Sequence, residues 1–148
     1  MRTLRSTHIA GSPRCPLVYD RWGEFGRPVL LLHAPGHDRT MWWMLAADLI
    51  AAASCSVIAP DLPGHGHSPA REDDRPERLA RDLDRLVDGL GLLRAPIVVG
   101  HGASVALAMT YADAHPTHCV VSFDEGRPDS LLHLTDPQGF ASEIRILL

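Results

Sequence analysis

The chemistry this chain could carry is concentrated in its histidines and in the short loops that hold them. The 148 residues include nine histidines, and His33, His37, His65, His67 and His101 fall in loops that follow apolar runs, with His118 less well placed. Together with Asp38 and Asp61 they could ligate zinc or another transition metal, since neutral imidazole and carboxylate are donors such ions take. The pair His65-x-His67 works against this, because it lacks the i, i+4 helical spacing that pre-forms a ligand pair. Trp42 and Trp43, flanked by Met41 and Met44, could line an apolar cavity beside these loops or pack into the core. Cys15, Cys55 and Cys119 are odd in number and widely spaced, which fits neither a disulfide framework nor a structural zinc site.

These loops require elements to hold them in register. Val29 to His33 is wholly apolar up to its histidine and sits between Pro28 and Pro35, the pattern of a strand buried on both faces. Val57 to Ala59, Ile97 to Val99 and Cys119 to Phe123 repeat it, and Leu17 to Trp22 reads as an earlier, more exposed strand. Met41 to Ala53 is rich in helix formers, with Asp38 or Thr40 as its cap. Leu79, Leu83, Leu86, Val87 and Leu90 fall at offsets of 4, 7, 8 and 11 and form one helix face, opened by Pro76 and closed by Gly91. Ala103 to Ala114 reads as a third helix with small side chains. The alternation predicts an α/β fold, a mostly parallel sheet with helices on both faces. The loops His33 to Thr40, Asp61 to Ser68, His101 to Ser104 and Asp124 to Pro128 then gather at one edge, where ligands bind in such sheets.

Those loops resemble the signature loops of the α/β-hydrolase superfamily. Leu30-Leu31-Leu32-His33-Ala34-Pro35-Gly36 is similar to the His-Gly loop that supplies an oxyanion donor. Asp61-Leu62-Pro63-Gly64-His65-Gly66-His67-Ser68 resembles the Asp-x-x-Gly-x-Gly-x-Ser loop. Val98-Val99-Gly100-His101-Gly102-Ala103-Ser104 occupies the nucleophile elbow, and the match runs from about Leu17 to Asp124 in the family's order. The resemblance implies a hydrolase of small esters, epoxides or related apolar molecules. His33, His65 and His101 occupy positions where the family commonly carries histidine for structural reasons, which favours that role over metal binding.

The elbow departs from the family pattern. Gly-x-Ser-x-Gly places the nucleophile on a strained strand-to-helix turn, and the gapless match puts Gly102 there, with Ser104 where the final glycine belongs. Glycine has no side chain to attack an ester or hold an acyl group. Ser104, in Gly102-Ala103-Ser104-Val105-Ala106, is the substitute nucleophile to weigh, against a small helix residue facing the sheet. The oxyanion hole needs backbone N–H donors. The resemblance assigns one to Ala103 and the other to Pro35, which has none, or to Ala34 or Gly36 if the loop is one residue shorter. Asp124 or Glu125 stands where some members place the acid. The resemblance implies about eight strands with the triad histidine after the last, so the expected domain, residues 1–148, is a truncated version lacking the C-terminal strands and cap. His133 is the only later histidine.

Composition narrows the classes further. Hydrophobic residues make up 45% and charged residues 22%, as in soluble globular domains rather than disordered chains. Fourteen cations, all arginine, against 18 acids leave a net charge of -4, so no basic surface for nucleic acid or an anionic membrane is expected. No apolar run approaches the ~18 residues of a membrane helix, and no continuous apolar stretch follows Arg2 and Arg5, so a secretory signal is not expected. The expectation is a cytoplasmic protein needing no cofactor, an impaired hydrolase; the alternatives are a binding or scaffold protein for an apolar small molecule and a metal site built on the loop histidines. A truncated sheet would also expose the edge of Cys119 to Phe123, predicting self-association there or covering by Leu131 to Leu148.

Overall fold

The computed structural model describes residues 5–123 and 137–148. Six strands, β1 (Ser6–Ala10), β2 (Leu17–Trp22), β3 (Arg27–Leu32), β4 (Cys55–Pro60), β5 (Ile97–His101) and β6 (Cys119–Phe123), form one sheet in the order β1-β2-β4-β3-β5-β6. β3, β4, β5 and β6 run parallel, while β2 is antiparallel to both β1 and β4. The helices are α1 (Trp43–Ala52), α2 (Pro76–Gly89), α3 (Ser104–Ala114) and α4 (Pro137–Leu147). The predicted α/β class and mostly parallel sheet are what the structure shows.

Alternate residues of the central strands feed two apolar layers. Val29, Leu31, Val57, Ile97 and Val99 face α1 and α4, where they meet Trp42, Leu45, Leu49, Ala141 and Ile144. Leu30, Leu32, Ile58 and Val98 face α2 and α3, meeting Leu79, Leu83, Leu86, Leu107 and Tyr111. Both faces being covered explains why these strands read as unbroken apolar runs. The α2 face has the predicted composition, with Pro76 in its first turn.

Three details differ from the sequence reading. β1 was not anticipated, since four of its five residues are exposed and carry no apolar pattern. β2 is mostly buried rather than exposed, because β1 and β4 flank it on both edges. The helix expected from Met41 to Ala53 is preceded by a 3-10 turn, Arg39–Trp42, whose cap Asp38 accepts the Thr40 N–H at 2.8 Å.

Of the segment expected to cover the sheet edge, α4 lies on the α1 side of the sheet, with Ala141 and Ile144 buried in that core. It covers a face, and no strand pairs with the outer edge of β6 among the described residues. Residues 131–136 lie outside them. Replacing a buried isoleucine by alanine leaves a cavity costing about 2–5 kcal/mol. Ile144→Ala, wholly buried, is therefore expected to lower the urea midpoint strongly, whereas Ile146→Ala, 81% exposed, shifts it within about 0.5 kcal/mol. Equal, small shifts would mean that α4 does not pack as described.

Candidate active site

The strand-end loops of β3, β4 and β5 converge where Leu32 pairs with Gly100 and His101 with Phe123. Between β5 and α3 the backbone turns at Gly102, whose φ of +60° lies in the left-handed region, and Val105 N–H closes the bend onto Gly102 O at 3.1 Å. The helix begins in contact with the strand beneath it. A Cβ on Gly100 would sit 2.8 Å from Ser104 O and 2.9 Å from the Val105 backbone, so only glycine permits that approach. This is the strand, sharp turn and helix of an elbow, and the residue at its bend has no side chain.

Ser104 is buried at the start of α3, and its hydroxyl donates to the carbonyl of His33 at 2.5 Å. Ala103 precedes it, exposed, among the first N–H groups of the helix, which lack intrahelical acceptors. His33 in turn joins the β3 and β4 loops. Its Nε2 accepts the Leu62 N–H at 3.0 Å, so Nδ1 carries the proton and donates to Ala34 O at 2.9 Å. Both ring nitrogens are thereby engaged. Burial is the main cause holding this imidazole below its ordinary titration range, opposed by the Ala34 bond.

Pro35 and Gly36 are the central residues of a turn closed by His37 N–H on Ala34 O at 3.1 Å, and Gly36 at φ +80° matches the type II pattern with proline before it. Ala34 is buried, while Pro35, Gly36 and His37 are exposed. The residue that the gapless match assigns as a donor therefore has no N–H, and Gly36 stands exposed beside it.

The β4 loop is tied down by charge. The buried Asp61 carboxylate accepts Arg39 N–H at 2.8 Å, Arg39 Nη1 at 2.5 Å and His67 N–H at 2.8 Å. Arg39 also reaches the buried Asp20 at 3.1 Å. Burial alone would lower the Arg39 pKa, but the two carboxylates outweigh it and raise it. Asp20 further accepts the Trp43 indole N–H at 2.8 Å and the Thr7 hydroxyl at 2.6 Å, and Arg5 lies 3.6 Å over the Trp43 ring. Ser68 fastens the loop's far end by accepting Val18 N–H at 2.9 Å. Sequence reading missed Asp20 and Arg39, although an acid between Tyr19 and Trp22 in an apolar strand is itself a signal for a buried partner.

His37 and His101 meet edge to face, with ring centroids 6.4 Å apart. Among the described residues no three His, Cys, Asp or Glu side chains come together in a way that could hold a metal ion, and His33 lacks a nitrogen to offer. Trp42 is wholly buried in the α1-side core. Asp124, Glu125 and His133 lie outside the described residues.

The His33 bonds give the site a pH signature. A histidine whose folded pKa lies below its ordinary 6.5 stabilises fully above that value, and its contribution is lost as pH falls through 6.5 toward the folded pKa. The urea midpoint is expected to drop between about pH 7.5 and about pH 5.5. His33→Gln should lower the midpoint at neutral pH and flatten this dependence; an unchanged slope would contradict the assignment.

Comparison with known proteins places this geometry. Residues 29–145 match the model of the "Alpha/beta hydrolase family". The chain is 35% identical over 97 residues to protein phosphatase methylesterase 1 of Bos taurus, covering 63% of this chain and 26% of that protein. It therefore spans about a quarter of that relative's length. A solved thermophilic esterase from Thermogutta terrifontis superposes with a TM-score of 0.67 at 29% identity, over 85% of this chain and 47% of that one. A candidate epoxide hydrolase from Pseudomonas aeruginosa gives 0.70 at 27%, over 80% and 40%. With its elbow, its Asp61 loop and most of its length matched, this chain belongs to the α/β-hydrolase family.

Proposed function

We propose that the chain is a catalytically impaired α/β-hydrolase that keeps the loops for a small ester or epoxide but offers no nucleophile to attack it. The observation that carries this reading is Gly102, at φ +60° on the strand-to-helix bend. Covalent acyl transfer needs an oxygen or sulfur there, and glycine supplies hydrogen. The reading is independent of any sequence beyond Leu148, because a base or acid elsewhere cannot replace the missing atom.

Ser104 then acts as a support. Its hydroxyl is committed to the His33 carbonyl inside the fold, so freeing it for attack would orphan a buried acceptor. Ala103 N–H serves as one oxyanion donor, and Ala34 and Pro35 form the facing wall. Asp124, where the resemblance puts an acid, would have no triad to complete. The substrate class follows from the methylesterase, esterase and epoxide hydrolase relatives, and the three free thiols favour a reducing, cytoplasmic setting.

Hydrolysis of p-nitrophenyl acetate tests the reading. The purified chain is expected to match buffer, and Ser104→Ala to change the rate by less than twofold. Turnover far above buffer that disappears in Ser104→Ala would overturn it. We further propose that the 148-residue chain self-associates through the outer edge of β6, which light scattering would show as a mass above one chain. A monomer whose Cys119–Phe123 amides exchange rapidly with solvent would contradict this.

A further inference from the structure

A second concavity lies away from the elbow, between the β1–β2 connection and α2, and encloses about 290 Å³. Its floor is apolar, formed by Leu17 and Tyr19 of β2 and by Leu86 and Leu90 at the end of α2. One face of α2 supplies the rim, since Arg78, Asp82 and Arg85 follow one another at helical spacing and all line the opening. The loop opposite is closed by Cys15 N–H on Ser12 O at 3.0 Å, so this wall is built before any ligand arrives.

The charges at the rim do not balance. Asp82 is taken by Arg71, whose side chain is buried, and Arg78 reaches Asp73 at 3.7 Å. Arg85 has no carboxylate within ion-pair distance among the described residues. An apolar floor with an uncompensated guanidinium at its mouth matches a molecule with an apolar body and one anionic end. At ~30 Å³ per water-sized group, the volume accommodates roughly ten such groups, the size of a medium-chain carboxylate.

We propose that this cavity binds a small apolar monocarboxylate, with Arg85 holding the carboxylate and the chain lying along Leu17, Leu86 and Leu90. The site is separate from the elbow, so Gly102→Ser leaves it unchanged. Octanoate, below its micelle concentration, is the probe, followed by calorimetry and by amide shifts in ¹⁵N-labelled protein. One-site binding with shifts at Leu17, Tyr19, Leu86 and Leu90 is expected, and octylamine should bind at least about tenfold more weakly. Arg85→Gln, at an exposed position, should weaken octanoate about tenfold, the loss of one charge-assisted hydrogen bond. Arg81→Gln, on the same helix outside the cavity, should leave it unchanged. Absent binding, equal affinity for octylamine, indifference to Arg85→Gln, or shifts centred on His33 and Gly102 would each overturn the proposal.

Discussion

The start of α3 is pressed onto β5, and the site takes its shape from that contact. Glycine at position 100 removes the Cβ that would collide with Ser104 O and the Val105 backbone, and the chain can then bend at once from strand to helix. The bend directs the first N–H groups of α3 toward the strand-end loops, a favourable arrangement for a developing negative charge. The same tight turn favours a residue that tolerates positive φ. In this chain that residue is Gly102, which brings no side chain to the bend.

The loops around the bend are held by buried polar contacts rather than by packing alone. His33 collects three of them, through Nε2, Nδ1 and its carbonyl, and so connects the β3 loop, the β4 loop and α3. Arg39, between Asp20 and Asp61, connects the 3-10 turn to β2 and to the β4 loop. Removing one member of such a buried ion-paired set costs about 3–5 kcal/mol, because the remaining charges are left uncompensated. These contacts account for most of the motif residues without assigning them chemistry. The aspartate, Ser68 and first-loop histidine of the resemblance each have a structural task here.

Much of the fold was legible because burial on both sheet faces writes unbroken apolar runs, as at Val29 to Leu32 and Ile97 to Val99, and because α2 is amphipathic with a proline at its start. β1 was not legible, since an exposed edge strand has no reason to be apolar. The site was legible to the extent that it depends on local backbone: Gly100 and Gly102 could be assigned by spacing, and the structure gives both the conformation that the assignment requires. What spacing could not reveal was partnership across the chain. Ser104 is separated from His33, and Arg39 from Asp20 and Asp61, by stretches that only the tertiary fold closes, and a hydroxyl seen in sequence cannot be told from one already committed to a carbonyl.

The central proposal is that the bend after β5 presents no nucleophile placed to attack an electrophile. The most direct measurement is the intact mass of the purified chain after exposure to a fluorophosphonate, followed by peptide mapping. The account predicts an unmodified mass. A stoichiometric adduct on any side chain from His101 to Val105 would contradict it.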